Sequence, residues 1–264
     1  MTSALTAAER DYLTKRFDLL FRQVDSRPSD QPQGMRANEL LDPEKGAAYL
    51  DWLGGRIGSP SRRVTASTLA KRYAFVAVSP VLYAMTVYNK GISLSLEHCM
   101  LLTSAGLDDH PGGTKLPRFG LTACHVTEPM PGQRNEWREQ LLHGLFAGHL
   151  TPIYHALSEI AKVPKIILWE NAVVRIVPIF EEALEKAADE TAACRIREDY
   201  HYIAHESPGI GFGERRNPLS KLAGPLDLEA DDERRPWLRR TCCLYYEISA
   251  EYCRLCPIPG FSRT

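Results

Sequence analysis

Lys165 to Lys186 reads KIILWENAVVRIVPIFEEALEK, and no other stretch constrains the fold as strongly. Ile166, Trp169, Val173, Val177, Phe180 and Leu184 recur every three or four residues, giving one apolar stripe along a long helix. Glu181, Glu182, Glu185 and Lys186 fall on its wet side. Pro178 lies inside the pattern and should kink the helix, because proline has no N–H and crowds the carbonyl one turn back. Such a stripe needs helical partners, and they are legible on both sides. Upstream, Trp137, Leu141, Leu142, Leu145 and Phe146 share a face of a helix expected to end near Gly148. Thr151-Pro152 then opens another, with Ile153, Leu157 and Ile160 inward. Downstream, a further helix runs from about Glu190 to His205.

Towards the N-terminus the periodicity becomes mixed. Thr6-Ala7-Ala8-Glu9 is a capping box, followed by an apolar face of Leu13, Phe17, Leu20 and Phe21 reaching about Val24. Ser26 to Gly34 (SRPSDQPQG) is a polar, proline-bearing linker. Asp42-Pro43 starts a helix that buries Leu50, Leu53 and Ile57, and a longer helix from about Thr65 to Tyr88 should bend or break near Pro80. Ile92, Leu94 and Leu96 alternate with Ser93 and Ser95 as in a strand; a second strand is expected at about Phe119 to Val126. Between them, Asp108 to Gly113 (DDHPGG) is turn chemistry. The fold class is therefore α+β. A mixed α/β N-terminal subdomain spans residues 1–130, a helical subdomain with a loop-rich end spans 131–236, and a C-terminal cysteine motif spans 237–264. The loop-rich end holds Gly209-Ile210-Gly211-Phe212-Gly213 and the charged run Glu229 to Arg235.

Composition excludes several classes of function. A net charge of −1 on 264 residues, with 44% hydrophobic and 25% charged residues, offers nothing to nucleic acid or an anionic membrane. Met1 to Asp18 carries no secretory signal, and the longest apolar run, Ala74 to Val87, falls short of the roughly 20 residues of a membrane span. A cytoplasmic location, where thiols stay reduced, is expected. Nucleotide-loop, zinc-protease and serine-nucleophile motifs are missing. Glu198, His201 and His205 share a helix face but make only half of a di-iron motif, and His143, His149 and His155, six apart, share none. Cys99, Cys124 and Cys194 are isolated and expected to be small buried hydrophobes.

The remaining cysteines carry the chemistry. Arg239-Arg240-Thr241-Cys242-Cys243-Leu244-Tyr245-Tyr246 is followed by Cys253-Arg254-Leu255-Cys256-Pro257, placing four thiols within fifteen positions. Such a set suits zinc or an iron–sulfur cluster. Adjacent residues point their side chains apart, so Cys242 and Cys243 would meet on one small ion only with strain, whereas a two-iron cluster accepts them more easily. Zinc, a disulfide pair and inert thiols stay open on this evidence.

The block as a whole resembles the signature of the FhuF siderophore-iron reductases: a basic pair, Cys-Cys, an aromatic stretch, then Cys-x-x-Cys-Pro. Leu168-Trp169-Glu170-Asn171 resembles that family's Leu-Trp-Gly-Asn segment, with Glu where Gly is usual. The interval between Cys243 and Cys253 is one residue shorter than the family's. The resemblance implies a [2Fe-2S] cluster on Cys242, Cys243, Cys253 and Cys256. It implies one-electron reduction of a ferric siderophore in the cytoplasm, releasing Fe(II), with an electron donor such as a ferredoxin or reduced flavin. Arg239 and Arg240 are then expected to tune the cluster or steer an anionic chelate. Trp169 and Asn171, with the glycine loop, are expected to wall the substrate. The alternative is a zinc-stabilised siderophore-binding or siderophore-biosynthesis-related protein without redox activity. The middle region resembles the C-terminal part of aerobactin-type siderophore synthetases, although those are much longer and carry nucleotide-binding residues not found here.

Overall fold

The computed structural model describes residues 2–21, 34–102, 114–224, 226, 239–249 and 251–258. Val24, most of the proline-bearing linker, the DDHPGG turn and the run Glu229 to Arg235 lie outside the described residues.

After a two-residue strand β1 (Thr2–Ser3) comes helix α1 (Ala7–Phe17), opened by the expected capping box: Thr6 Oγ1 accepts from Glu9 N at 3.2 Å, and the Glu9 carboxylate accepts from Thr6 N at 2.7 Å. The helix does not reach Phe21. Asp18 turns left-handed at φ 56°, and Leu19–Phe21 becomes β2, which pairs in parallel with β6 (Arg118–Leu121). The apolar residues there serve a sheet edge that helical spacing cannot reveal. Next come β3 (Gly34–Arg36), α2 (Pro43–Ile57, capped by Asp42), α3 (Arg62–Tyr73) and α4 (Ser79–Val87). Strand β4 covers only Gly91–Ser93, because Leu96 opens a 3₁₀ turn, and β5 is Cys99–Leu102. The single strand expected over Phe119 to Val126 is two, β6 and β7 (His125–Thr127), which belong to different sheets. One sheet runs β1-β7-β4, all antiparallel; the other runs β2-β6-β5-β3, with only β2/β6 parallel. All described strands precede the helices α5 (Arg134–Leu145), α6 (Thr151–Ala161), α7 (Lys165–Glu185) and α8 (Glu190–His201). The fold is α+β with a mixed first half, as expected.

The bend or break expected near Pro80 and the helix end expected near Gly148 both fall at π-helical turns. A π-helical turn, Ala74–Val78, joins α3 to α4, and another, Phe146–Leu150, joins α5 to α6, so the helix expected to end near Gly148 runs on. A third, Tyr202–Glu206, extends α8. Each immediately precedes a Ser/Thr-Pro step: Ser79-Pro80, Thr151-Pro152 and Ser207-Pro208. In each, the Ser or Thr N–H donates five residues back, to Ala74, Phe146 and Tyr202. Widening the turn carries the obstructed carbonyl away from the proline ring while the neighbouring amides keep partners. Pro178 sits on the exposed side of α7, and that helix continues through it.

Helix α7 is more central than a one-sided stripe implies. Every residue from Ile167 to Val174 is buried, while Ile166 at its start is 47% exposed. It packs against α3, α4, α6 and α8. Helix α3 accepts neighbours closely because Ala66, Ser67 and Ala70 are small. One apolar core runs through both halves, from Leu5 to Leu222.

His149, in the second π turn, is fully buried with Nε2 2.7 Å from the Tyr73 hydroxyl, and burial pushes its pKa down to about 3. The unfolded chain takes up this proton near pH 6.5. The resulting stability is therefore complete above that pH and is lost as pH falls towards about 3. At about 1.4 kcal/mol per pH unit the full loss approaches about 5 kcal/mol. Urea midpoints should fall steadily from pH 6.5 to pH 4, and His149→Gln should flatten that slope. A variant whose profile parallels the parent's would assign the slope to other groups.

Candidate metal centre

The described C-terminal residues lie against α3 and α7, held by a short polar network. Glu170, fully buried, accepts from Arg240 N at 2.5 Å and Thr241 N at 2.8 Å, and also from the Thr241 hydroxyl. Asn171 Nδ2 donates to Ser67 O at 2.8 Å and to Ser67 Oγ at 3.0 Å; Ser67 Oγ in turn donates to Cys243 O at 2.8 Å. Arg239 N donates to Leu255 O at 3.0 Å, joining the two cysteine pairs' segments. Trp169 and Asn171 are thus buried behind the cysteines. Trp169 packs between Tyr154, Phe146 and Phe212, and Asn171 holds the Ser67 relay.

Cys243 is buried, while Cys242, Cys253 and Cys256 are partly exposed. A hydrogen bond from Cys253, then the Arg239 charge, the Tyr245 amide and the Lys71 charge, hold the Cys243 thiol well below its ordinary range against the cost of burial. The same hydrogen bond, then burial, pushes Cys253 up, so the pair's proton stays on Cys253. Cys242 accepts from Leu244 N at 3.3 Å, although burial raises it on balance, and it lies within electrostatic reach of Cys243 and Cys256. Leu244 adopts a left-handed φ of 63°, a strained setting for a branched side chain that turns successive amides onto the sulfurs. Among the described residues, no three His, Cys, Asp or Glu side chains are arranged to hold a single metal ion.

The arginine pair divides. Arg239 is buried, its Nε 3.1 Å from Thr241 O and 3.5 Å from Glu170 Oε2, while both terminal nitrogens lack a hydrogen-bond partner among the described residues. Arg240 is exposed. Tyr245 and Tyr246, each about two-fifths exposed, flank the thiols, and Tyr246 stacks on Tyr252 at 5.6 Å.

Of the other candidates, the glycine loop reaches Trp169 through Phe212, which is buried with its ring centre 5.9 Å from that of Trp169 and 4.6 Å from that of Phe146, leaving Ile210 exposed. His201 pairs with Glu206 at 3.3 Å, and His155 with Glu214 at 2.8 Å. Of the isolated cysteines only Cys99 is buried; Cys124 is half-buried and Cys194 exposed, since a lone cysteine carries no sequence mark of its face. Sequence reasoning missed Ser67, Lys71 and the role of Glu170. The last had a signal: a carboxylate inside an apolar run must find partners once buried.

A family model described as "Ferric iron reductase FhuF-like transporter" matches residues 67–235. That span includes Ser67, Lys71, Glu170 and Asn171 and ends before the four cysteines. No curated protein matches the chain. Among solved structures, the aerobactin synthetase IucC from a hypervirulent pathotype of Klebsiella pneumoniae aligns with a TM-score of 0.50 at 13% identity, over 75% of this chain and 37% of its own. IucA, from the same source, aligns with a TM-score of 0.51 at 14% identity, over 81% and 47%. The likeness is one of fold, and this chain spans less than half of either synthetase.

Proposed function

This chain belongs to the family of ferric iron reductase FhuF-like transporters, and from that premise we propose that it reduces the iron of a ferric siderophore by one electron, using a [2Fe-2S] cluster held by Cys242, Cys243, Cys253 and Cys256. The observation that carries this reading is Arg239. Its guanidinium is withdrawn from water and meets the Glu170 carboxylate only from Nε, at 3.5 Å; among the described residues its two terminal nitrogens have no hydrogen-bond partner, which is costly unless a further anion meets that side. The four thiols beside it are a donor set that binds iron as thiolates and would supply that anion. Cys243 shares a hydrogen bond with Cys253, and Cys242 lies within electrostatic reach of both Cys243 and Cys256. When bound, such a cluster supplies one electron at a time.

The chain's own residues then have separable tasks. Glu170, Asn171 and Ser67 position the cysteine segment, with Trp169 packed behind them. The buried Arg239 charge and the Leu244 and Tyr245 amides favour a more negative, reduced site. Arg240 faces solvent, where it acts on anionic solutes. The electron originates in a donor such as a ferredoxin or reduced flavin and ends on Fe(III). Hard oxygen ligands hold the resulting Fe(II) less tightly, so the metal leaves. No bond to carbon breaks, and no acid–base pair is required.

An anaerobic absorption spectrum with iron and sulfide analysis tests the reading. A reddish-brown protein is expected, bleached by dithionite and recoloured by a ferric siderophore as Fe(II) appears in a chelator trap. A colourless zinc protein would instead support a zinc-stabilised siderophore-binding or biosynthesis-related role, which the synthetase-like fold keeps as the second reading. Arg239→Gln should lower the reduction potential by on the order of tens of millivolts, with little dependence on salt. Arg240→Gln should leave the potential alone and slow reduction of anionic chelates, a loss that shrinks at high salt. Protein-film voltammetry and second-order rates separate the two; identical potentials in parent and Arg239→Gln would remove the tuning role.

A further inference from the structure

Next to the cysteine segment, cations gather on the face of α3 and its π turn. The guanidinium carbons of Arg16, Arg72 and Arg175 lie 6.0, 5.4 and 5.3 Å from the centre of the Phe75 ring. They come from α1, α3 and α7, so only the tertiary fold assembles them. Lys71, one turn before Phe75, reaches the cysteine end, with Nζ 5.9 Å from the Tyr245 ring. The carboxylates available are already shared. Glu182 serves Arg16 at 2.9 Å and Lys186 at 2.7 Å; Asp18 serves Arg72 at 2.6 Å and Arg118 at 3.5 Å. Among the described residues, neither Lys71 nor Arg175 has a carboxylate partner, and Arg175 Nε is buried without a hydrogen bond. Burial, then the Arg72 and Arg16 charges, work against the charge on Arg175. Like charges crowded at low solvent exposure are stabilised when an anion binds among them.

We propose that Lys71, Phe75, Arg175 and Arg16, with Tyr245 at the cysteine end, form the docking site of the iron chelate and select multiply anionic, oxygen-rich ferric chelates over neutral ones. The inference rests on the reductase reading and deepens it. Guanidinium groups match carboxylate and catecholate oxygens in paired hydrogen bonds, which an ammonium or an apolar wall cannot do. The site also solves an electrostatic problem. A thiolate-ligated cluster and an anionic chelate repel one another, and a strip of cations beside the sulfurs lets them approach. The patch is ligand-sized: three guanidinium groups converge on one half-buried ring, and the Arg72 side chain is only 10% exposed. A protein partner would need a far broader face, about 800 Å² on each side.

Gallium(III) complexes, which cannot be reduced by the protein, test binding alone. The probes are a hexadentate tris-catecholate complex, triply anionic, and a hexadentate tris-hydroxamate complex, neutral, titrated by calorimetry into the purified full-length protein. The parent should bind the anionic complex more tightly. Arg175→Gln and Lys71→Gln should each weaken that binding about tenfold while changing the neutral complex by less than about twofold. Arg175→Lys should recover only part of the loss, because an ammonium restores the charge without the paired hydrogen bonds, and thermal melts by circular dichroism confirm that each variant folds. Equal affinity of the parent for both complexes, or variants that bind like the parent, would overturn the site. Unchanged gallium binding combined with slower reduction by a ferredoxin would also overturn it, assigning the surface to the donor. Charge-selective gallium binding by a protein without reductase activity would retain the site and sink the reductase reading. Reductase activity with charge-blind binding would sink only the site.

Discussion

A Cys243→Ser variant is expected to emerge colourless, with bound iron and sulfide reduced to a small fraction of the parent's. Cys243 is the most buried of the four thiols, and Cys253, Arg239, the Tyr245 amide and Lys71 hold it as the thiolate. Its own carbonyl is tied to Ser67, so the backbone has little freedom to offer a substitute ligand. A serine hydroxyl stays protonated in the same setting and is a harder, weaker ligand for cluster iron. Replacing the partly exposed Cys256 should be milder, giving a shifted spectrum and a less stable chromophore. Cys99→Ser, Cys124→Ser and Cys194→Ser should keep full colour, because none of these thiols belongs to the C-terminal set. Iron and acid-labile sulfide assays on anaerobically purified protein decide the matter. A variant with all four terminal cysteines changed to serine that kept its iron and sulfide would end the assignment.

Glu170→Ala should be the most damaging substitution for stability. The carboxylate, itself fully buried, takes two amides and a hydroxyl from Arg240 and Thr241 and lies 3.5 Å from the buried Arg239. Its removal strands those donors and leaves a buried guanidinium without its counter-charge, which costs about 3–5 kcal/mol. For a domain of this size the midpoint of thermal unfolding should fall by roughly 10 °C. Glu170→Gln keeps the shape and one acceptor and should lose about half as much. Glu170→Gly would restore the residue usual in the resembled segment, yet should be at least as harmful here, since glycine inside a helix costs about 1 kcal/mol more than alanine. The C-terminal segment should also become accessible to limited proteolysis around residues 239–258 and lose iron. A Glu170→Ala protein that melts within about 2 °C of the parent and resists proteolysis equally would show that the carboxylate does not hold the segment.

The four-cysteine set was legible in the sequence because its members are neighbours along the chain, and spacing restricts what short loops can bring together. The helical second half was legible for a related reason: Trp169, Val173, Val177 and Phe180 are buried in α7, so their period reports a real packing face. Where the reading slipped, a distant partner had intervened. Leu20 and Phe21 keep a helical spacing, but β6 lies about a hundred residues away and offers them a sheet edge. Gly148 and Thr151-Pro152 look like the end of one helix and the start of another, yet a π turn carries the helix past them.

By itself, then, the sequence determined the α+β class, the capping box at Thr6, the helix of α7 and the local grouping of the thiols. Only the tertiary structure separated Arg239 from Arg240, because adjacent residues are chemically alike until one is buried and the other is not. Only the tertiary structure could turn Glu170 and Asn171 towards the cysteine segment, over sequence separations of 70 residues to Arg240 and 104 to Ser67. The gathering of Arg16, Arg72 and Arg175 around Phe75 has the same origin: local spacing dictates which face a residue takes on its own helix, but the charge field at a site is the sum over helices that meet only when the chain folds.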